Sequence, residues 1–185
     1  MPSSEENPTG EIRMPFPPGF APAPGLRWSE SVDLAAVNSR ALVALWLSKR
    51  PTDEALPAYD RFDALELRRW ADNLILLDVA PDGADGRRYS YRSVGAAAAA
   101  VDGGDLSGRF MHAAMPAAQA LPRTRIYDRA VRTRAPVVVA ARTEVPGSGS
   151  GRPIAKWDVS ALPLSSDGDK ADRLMVLVYV EALPA

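Results

Sequence analysis

The stretch YSYRSVGAAAAAVDGGDLSGRFM, Tyr89 to Met111, carries two aspartates, three serines and four glycines, and the single histidine of the chain, His112, follows it directly. Glycines let a backbone approach an anion closely, and aspartates hold a metal or cap a helix. One chemistry open to these residues is hydrolysis or group transfer, with His112 as the base beside Asp105 or Ser107. That chemistry requires the groups to converge on a pocket, which nearness in sequence does not ensure. The bland reading has Asp105 or Ser107 capping a helix terminus, Gly108 making a tight turn, and His112 as an ordinary packed or surface residue. A second constellation pairs Arg92 with Trp157. If both face a cavity, a guanidinium and an indole would receive a carboxylate or an aromatic ligand by bidentate pairing and stacking. The alternative for Arg92 is an exposed position opposite a carboxylate.

Several function classes are excluded by composition. The chain has 185 residues with no cysteine and one histidine. Thiolate nucleophiles, disulfides, cysteine-held clusters, cysteinyl adducts to a chromophore and multi-histidine metal sites are therefore ruled out. The 22 Lys and Arg against 23 Asp and Glu leave no global attraction to nucleic acid or anionic lipid. The glycine-rich loop has neither the Lys-Ser/Thr ending of a P-loop nor the G-x-G-x-x-G spacing. It superficially resembles the Gly-Gly-Asp-Glu-Phe loop of diguanylate cyclases, but Leu106 stands where a second acidic residue is needed for metal-assisted phosphoryl transfer. No stretch approaches the ~20 apolar residues of a spanning helix, and the N-terminus lacks a signal-peptide core. The expectation is a soluble cytoplasmic protein, with neither nucleic acid nor membrane as a partner.

The elements that must position these side chains follow from pattern. Residues 1–27 hold seven prolines and read as a flexible tail that sustains neither helix nor sheet ladder. Residues 28–51 form an N-terminal helix, capped by Ser29 or Ser31 and stopped by Pro51, with Val32, Ala35, Ala36, Leu42, Leu45 and Trp46 at near-helical spacing. Residues 52–185 form the domain proper. Within it, FDALELRRWADN is a short helix capped by Asp63, and LILLDV and RYSYRSV are the arms of a hairpin. Ala96–Ala100 is a helical connection, and QALPRTRIYDRAVRTRA is a longer helix with Ile126, Ala130 and Val131 inward and its arginines solvated. PVVVAARTEV, IAKWDVSALPL and RLMVLVYVEAL form a closing antiparallel meander. The fold class is α+β, a five-stranded antiparallel sheet with helices over one face, preceded by the N-terminal helix.

In that order, LWLSKR, LPAYDRFDALEL, NLILLDV, YSYRSVG, GGDLSGR, IYDRAVRTRAPV, LPLSSDG and LVYVEAL resemble a family of small single-domain PAS proteins of proteobacteria, over about Ala41 to Leu183. The resemblance implies a PAS-like sensor or protein-interaction module and not an enzyme. It would bind a small molecule in a cavity and signal through dimerisation or a partner protein. It leaves the identity of any cofactor open. The ligand-binding set it suggests is Arg92, Arg109, His112, Trp157 and Tyr91. It also places a homodimer contact on the N-terminal helix, where Leu42, Val43, Leu45 and Trp46 form a wider apolar set than one stripe needs.

Overall fold

The computed structural model describes residues 12–13, 32–53, 55–80, 88–144 and 153–182. Its first long element is α1, Val32–Ser48, which ends three residues before Pro51; the serines expected to cap it lie outside the described residues. A short helix follows, α2, Ala64–Leu67, and continues as tight 3-10 turns to Asn73. Asp63 caps α2 as the sequence suggests. Its carboxylate accepts from the Leu65 N–H at 2.7 Å, while the Glu66 side chain reaches back to the Asp63 N–H at 2.9 Å. This reciprocal capping box satisfies two helix-end donors that would otherwise be orphaned.

Among the described residues, six strands make one sheet. They are β1, Ile12–Arg13; β2, Leu74–Val79; β3, Tyr89–Val94; β4, Val137–Glu144; β5, Pro153–Leu164; and β6, Arg173–Ala182, in the spatial order β1-β4-β5-β6-β2-β3. The five strands from β2 to β6 pair antiparallel throughout. Between β3 and β4 come α3, Ala96–Val101; α4, Met111–Ala114; and α5, Ala117–Thr133. The turn between β2 and β3 and the loop between β4 and β5 lie outside the described residues.

Two observations depart from the sequence reading. Ile12 and Arg13, inside the proline-rich stretch, pair in parallel with Ala141 and Arg142 of β4, so this stretch does contribute to a sheet ladder. Neither residue is proline, so each keeps the N–H that a ladder requires. The rest of residues 1–27 lies outside the described residues. Second, helices cover both faces of the sheet. Leu174, Val176, Val178 and Val180 of β6 join a core with α3, α4 and α5, whereas Met175 and Leu177 join a second core with α1, Phe62, Leu67 and Trp70. Side chains alternate along a strand, and every residue from Leu174 to Val178 is buried, so β6 needs a layer on each side.

The second core uses the α1 residues expected at a dimer contact. Leu42 and Trp46 are fully buried on the chain's own sheet, and the Trp46 indole N–H donates to the Pro163 carbonyl at 2.8 Å. Val43 and Leu45 are partly buried against the same core. Among the described residues, the large apolar side chains that α1 exposes are Val37 and Leu47.

Gly95 links β3 to α3, and its role is close approach. Its backbone is ordinary, with φ −65°, but a Cβ there would stand 2.2 Å from the Ala71 carbonyl oxygen and 2.5 Å from that of Asp72. Those oxygens belong to the 3-10 turns before β2, so the glycine lets the α3 entrance lie against them. Gly103, by contrast, has φ +82° with open space around it. Gly95→Ala should destabilise by about 3 kcal/mol or more, because the clash is with backbone that cannot yield. Gly103→Ala should cost about 1–2 kcal/mol, from left-handed strain alone. Urea unfolding of the two variants checks the ranking.

Candidate functional site

On the α3–α5 side of the sheet, an ion pair sits inside an otherwise apolar core. Asp102 is the residue that ends α3, and its own N–H donates to the Ala98 carbonyl at 3.1 Å. Arg123 lies on α5, where the helical repeat puts it in line with Ile126, Tyr127 and Ala130, all buried. Its two terminal nitrogens donate to the two carboxylate oxygens of Asp102 at 2.8 and 2.6 Å. The side chains are only 12% and 5% exposed, so both charges have left water together. Bidentate pairing is the geometry that makes such burial tolerable.

Aromatic groups surround the pair. The guanidinium carbon lies 5.7 Å from the Trp157 ring centre, within cation–π range. Trp157 comes from β5 and shares the inward face with Val159 and Ala161. Tyr89 and Tyr91 point in from β3, and Tyr89 meets Tyr127 edge to face at 5.4 Å. The Tyr89 hydroxyl donates to the Asp128 carboxylate at 2.6 Å. The Tyr91 hydroxyl is fully buried beside Arg123, a donor that favours its oxygen, and its own O–H finds no acceptor among the described residues. Such a group gives up its hydration without compensation, at a cost on the order of 1–3 kcal/mol.

The electrostatics follow from burial. Desolvation pushes the Tyr91 hydroxyl up to about 12, with the Arg123 charge and its donation toward the phenol oxygen partly offsetting it. Burial raises Tyr127 further, and Tyr91 beside it adds to the shift. Tyr89 is raised by burial and then by its bond to Asp128. For Arg123, burial disfavours the cation, but the Asp102 carboxylate outweighs this and holds the proton more firmly than in water. The site is therefore a permanent buried cation, neutralised by one carboxylate, beside neutral phenols.

The structure brings together two of the five residues suggested by sequence, Tyr91 and Trp157, and not the other three. Arg92 falls on the opposite parity of β3. It is about half exposed, and its Nε donates to Asp78 at 2.8 Å. The guanidinium–indole pairing exists, but Arg123 makes it. Arg109 is exposed and donates to the Ala113 carbonyl at 3.1 Å, closing the end of α4. His112 is exposed, with its ring 5.7 Å from that of Phe110. Asp105 accepts from both the backbone N–H and the hydroxyl of Ser107, at 2.9 and 2.6 Å. It thus tightens a local turn and caps no helix; α4 starts later, after Phe110. No hydrogen bond joins His112 to Asp105 or Ser107 among the described residues. Gly108, with φ +78°, does make the expected turn.

Asp102, Arg123 and Tyr127 were missed. The available signal was the position of Arg123 on the apolar stripe it shares with Ile126 and Ala130, where a solvated arginine does not fit. Among the described residues no group of three or more acidic or histidine side chains could hold a metal ion, and no helix is long and apolar enough to cross a membrane. Compared with protein-family models and with curated proteins, the chain matches none.

Removing one partner of the pair should be far costlier than removing both. Asp102→Ala leaves a buried, unpaired guanidinium and should destabilise by about 3–5 kcal/mol, while Asp102→Leu with Arg123→Met should recover much of that loss. Tyr91→Phe deletes an unsatisfied hydroxyl, so it should be neutral or stabilising by about 1 kcal/mol near neutral pH. Its effect should also depend on pH. Because the folded value of Tyr91 lies above its ordinary 10.0, the folded state binds the proton more tightly, and stability is lost as pH rises from 10.0 to about 12. Chemical denaturation across that window should show a shallower loss for Tyr91→Phe than for wild type.

Proposed function

We propose that the chain is a PAS-type sensory or protein-interaction module of the small proteobacterial kind, cytoplasmic, which binds a small molecule on the α3–α5 side of its sheet. The antiparallel order β4-β5-β6-β2-β3, with the helices inserted between the second and third of these strands in sequence, supports the PAS reading. The observation that carries the ligand reading is the Tyr91 hydroxyl, buried without an acceptor beside Arg123 and Trp157. A core designed only for stability would put phenylalanine there; a hydroxyl awaiting an acceptor gives the tyrosine a purpose.

The fitting ligand offers an acceptor to Tyr91 and a planar or carboxylate group to the indole and guanidinium. Asp102 neutralises Arg123 when the ligand is absent, so an anionic ligand would compete with Asp102 and thereby loosen the tie between α3 and α5. That gives binding a route to conformation, because a ligand shifts an equilibrium only by its differential contacts in the two states. The signal leaves by self-association or by docking to an effector protein.

Native mass spectrometry of freshly purified protein tests this, combined with thermal-shift titration of small carboxylates and planar aromatic acids. We expect a retained small molecule, or saturable stabilisation by a member of this set, with affinity at least tenfold lower for Tyr91→Phe. An empty wild-type protein that no compound stabilises, or binding indifferent to Tyr91→Phe, would overturn the ligand reading.

A further inference from the structure

The opposite side of the sheet holds a groove of different chemistry. It lies between α1 and strands β4 and β5 and encloses ≈ 480 Å³. That is within the range of sites that take small ligands, roughly 300–1,000 Å³. Its apolar wall is made by Val43, Ala44 and Leu47 from α1 and Val138 from β4. Leu47 and Val138 are 50% and 55% exposed, which leaves an apolar strip facing water. The Ser160 hydroxyl donates to that of Ser39 at 2.8 Å, and the Trp46 indole reaches Pro163, so α1 runs alongside β5 in the same direction. Along the helix, Ser39 and Arg40 come near its middle, level with Val138 across Ser160, and Leu47 comes near its end.

Charge selects the occupant. Asp158 lines the groove, but its carboxylate already pairs with Lys156 at 3.3 Å, both largely buried. Arg40 is exposed and makes no hydrogen bond or ion pair among the described residues. With Asp158 and Lys156 cancelling, Arg40 leaves one uncompensated positive charge at the edge of an apolar trough. The exposed apolar side chains are too few for a stable protein interface, which buries about 1,200–2,000 Å², and suit a small apolar group instead.

We propose that this groove is a binding site for an anionic single-chain amphiphile, its tail along Val43, Ala44, Leu47 and Val138 and its head group on Arg40. This site is separate from the one around Arg123 and does not rest on it, since the sheet lies between them. The head is a carboxylate or a similar small anion, held by a charge-assisted hydrogen bond from the guanidinium, and the tail gains by covering side chains that otherwise face water.

Calorimetric titration of the full chain with dodecanoate below its micelle concentration provides the test, with dodecyltrimethylammonium as the cationic counterpart. Sedimentation is run in parallel. Arg40→Gln and Leu47→Glu change exposed positions, so both should fold, as circular dichroism would verify. Leu121→Glu, at an exposed apolar position on α5, is the control. We expect one dodecanoate per chain and binding of the cation at least tenfold weaker. Affinity should fall about tenfold in Arg40→Gln, the fold-change for loss of one charge-assisted bond, and at least tenfold in Leu47→Glu, with no change in Leu121→Glu. The proposal fails if the full chain does not bind dodecanoate, if the cation binds as well, or if neither variant matters. It also fails if sedimentation shows a wild-type dimer that Leu47→Glu dissociates while dodecanoate leaves it intact, because the groove would then be covered by a second copy.

Discussion

The burial of Arg123 against Asp102 is the constraint around which the α3–α5 layer is arranged. A guanidinium and a carboxylate removed from water each lose several kcal/mol of solvation, and only mutual bidentate contact offsets that loss. The contact has a strict geometry, so it determines where the end of α3 stands relative to the first turns of α5. Trp157 beneath the guanidinium then ties both helices to β5. Hydrophobic burial could hold these helices near the sheet in several arrangements; the ion pair distinguishes among them. A link of this type stabilises weakly compared with an apolar replacement, and its presence calls for another reason than stability.

Two-sided burial of the sheet is the frame in which that link operates. Because β6 is covered on both faces, the chain must supply a layer on each, and it does so with two segments of different origin. The segment between β3 and β4 crosses one face as α3, α4 and α5. The segment before β2 crosses the other as α1 and the turns around Trp70. Gly95 is where the two arrangements meet, since the entrance to α3 rests on carbonyls of the turn before β2. The two faces also differ in kind. One encloses the Arg123–Asp102 pair beside a phenol without an acceptor, while the other leaves an apolar trough partly open, with the Lys156–Asp158 pair in its wall and Arg40 exposed at its edge.

Much of this architecture was legible in the residues. The strand LILLDV is found at Leu74–Val79, the cap at Asp63 was visible as a short-range pattern, and Pro136 marks the end of α5 just before β4. These features are local, and local sequence encodes them. The covering of both faces departs from the helices expected over one face only, although the unbroken apolar run LMVLVYV carries the signal, since a strand solvated on one side alternates. The site was less legible, for a physical reason. Whether Arg92 or Arg123 reaches Trp157 depends on strand parity and on which side of α5 faces the sheet, and a shift of one residue in a strand exchanges inside for outside. Arg92 sits between the buried Tyr91 and the exposed Ser93 and points outward to Asp78. The partnership of Asp102 with Arg123 spans 21 residues, and no short-range pattern announces it.

A buried cation with its own counter-ion, flanked by a phenol whose O–H has no acceptor among the described residues, is the basis of the proposed ligand reading. A crystal structure of the protein as isolated, at a resolution that shows ordered small molecules, tests this most directly. Our account expects density within hydrogen-bonding distance of the Tyr91 hydroxyl, contributed by a bound molecule that also approaches Arg123 or stacks on Trp157. A tightly packed site with no density beside that hydroxyl, and with the Arg123–Asp102 pair enclosed only by protein atoms, would contradict it.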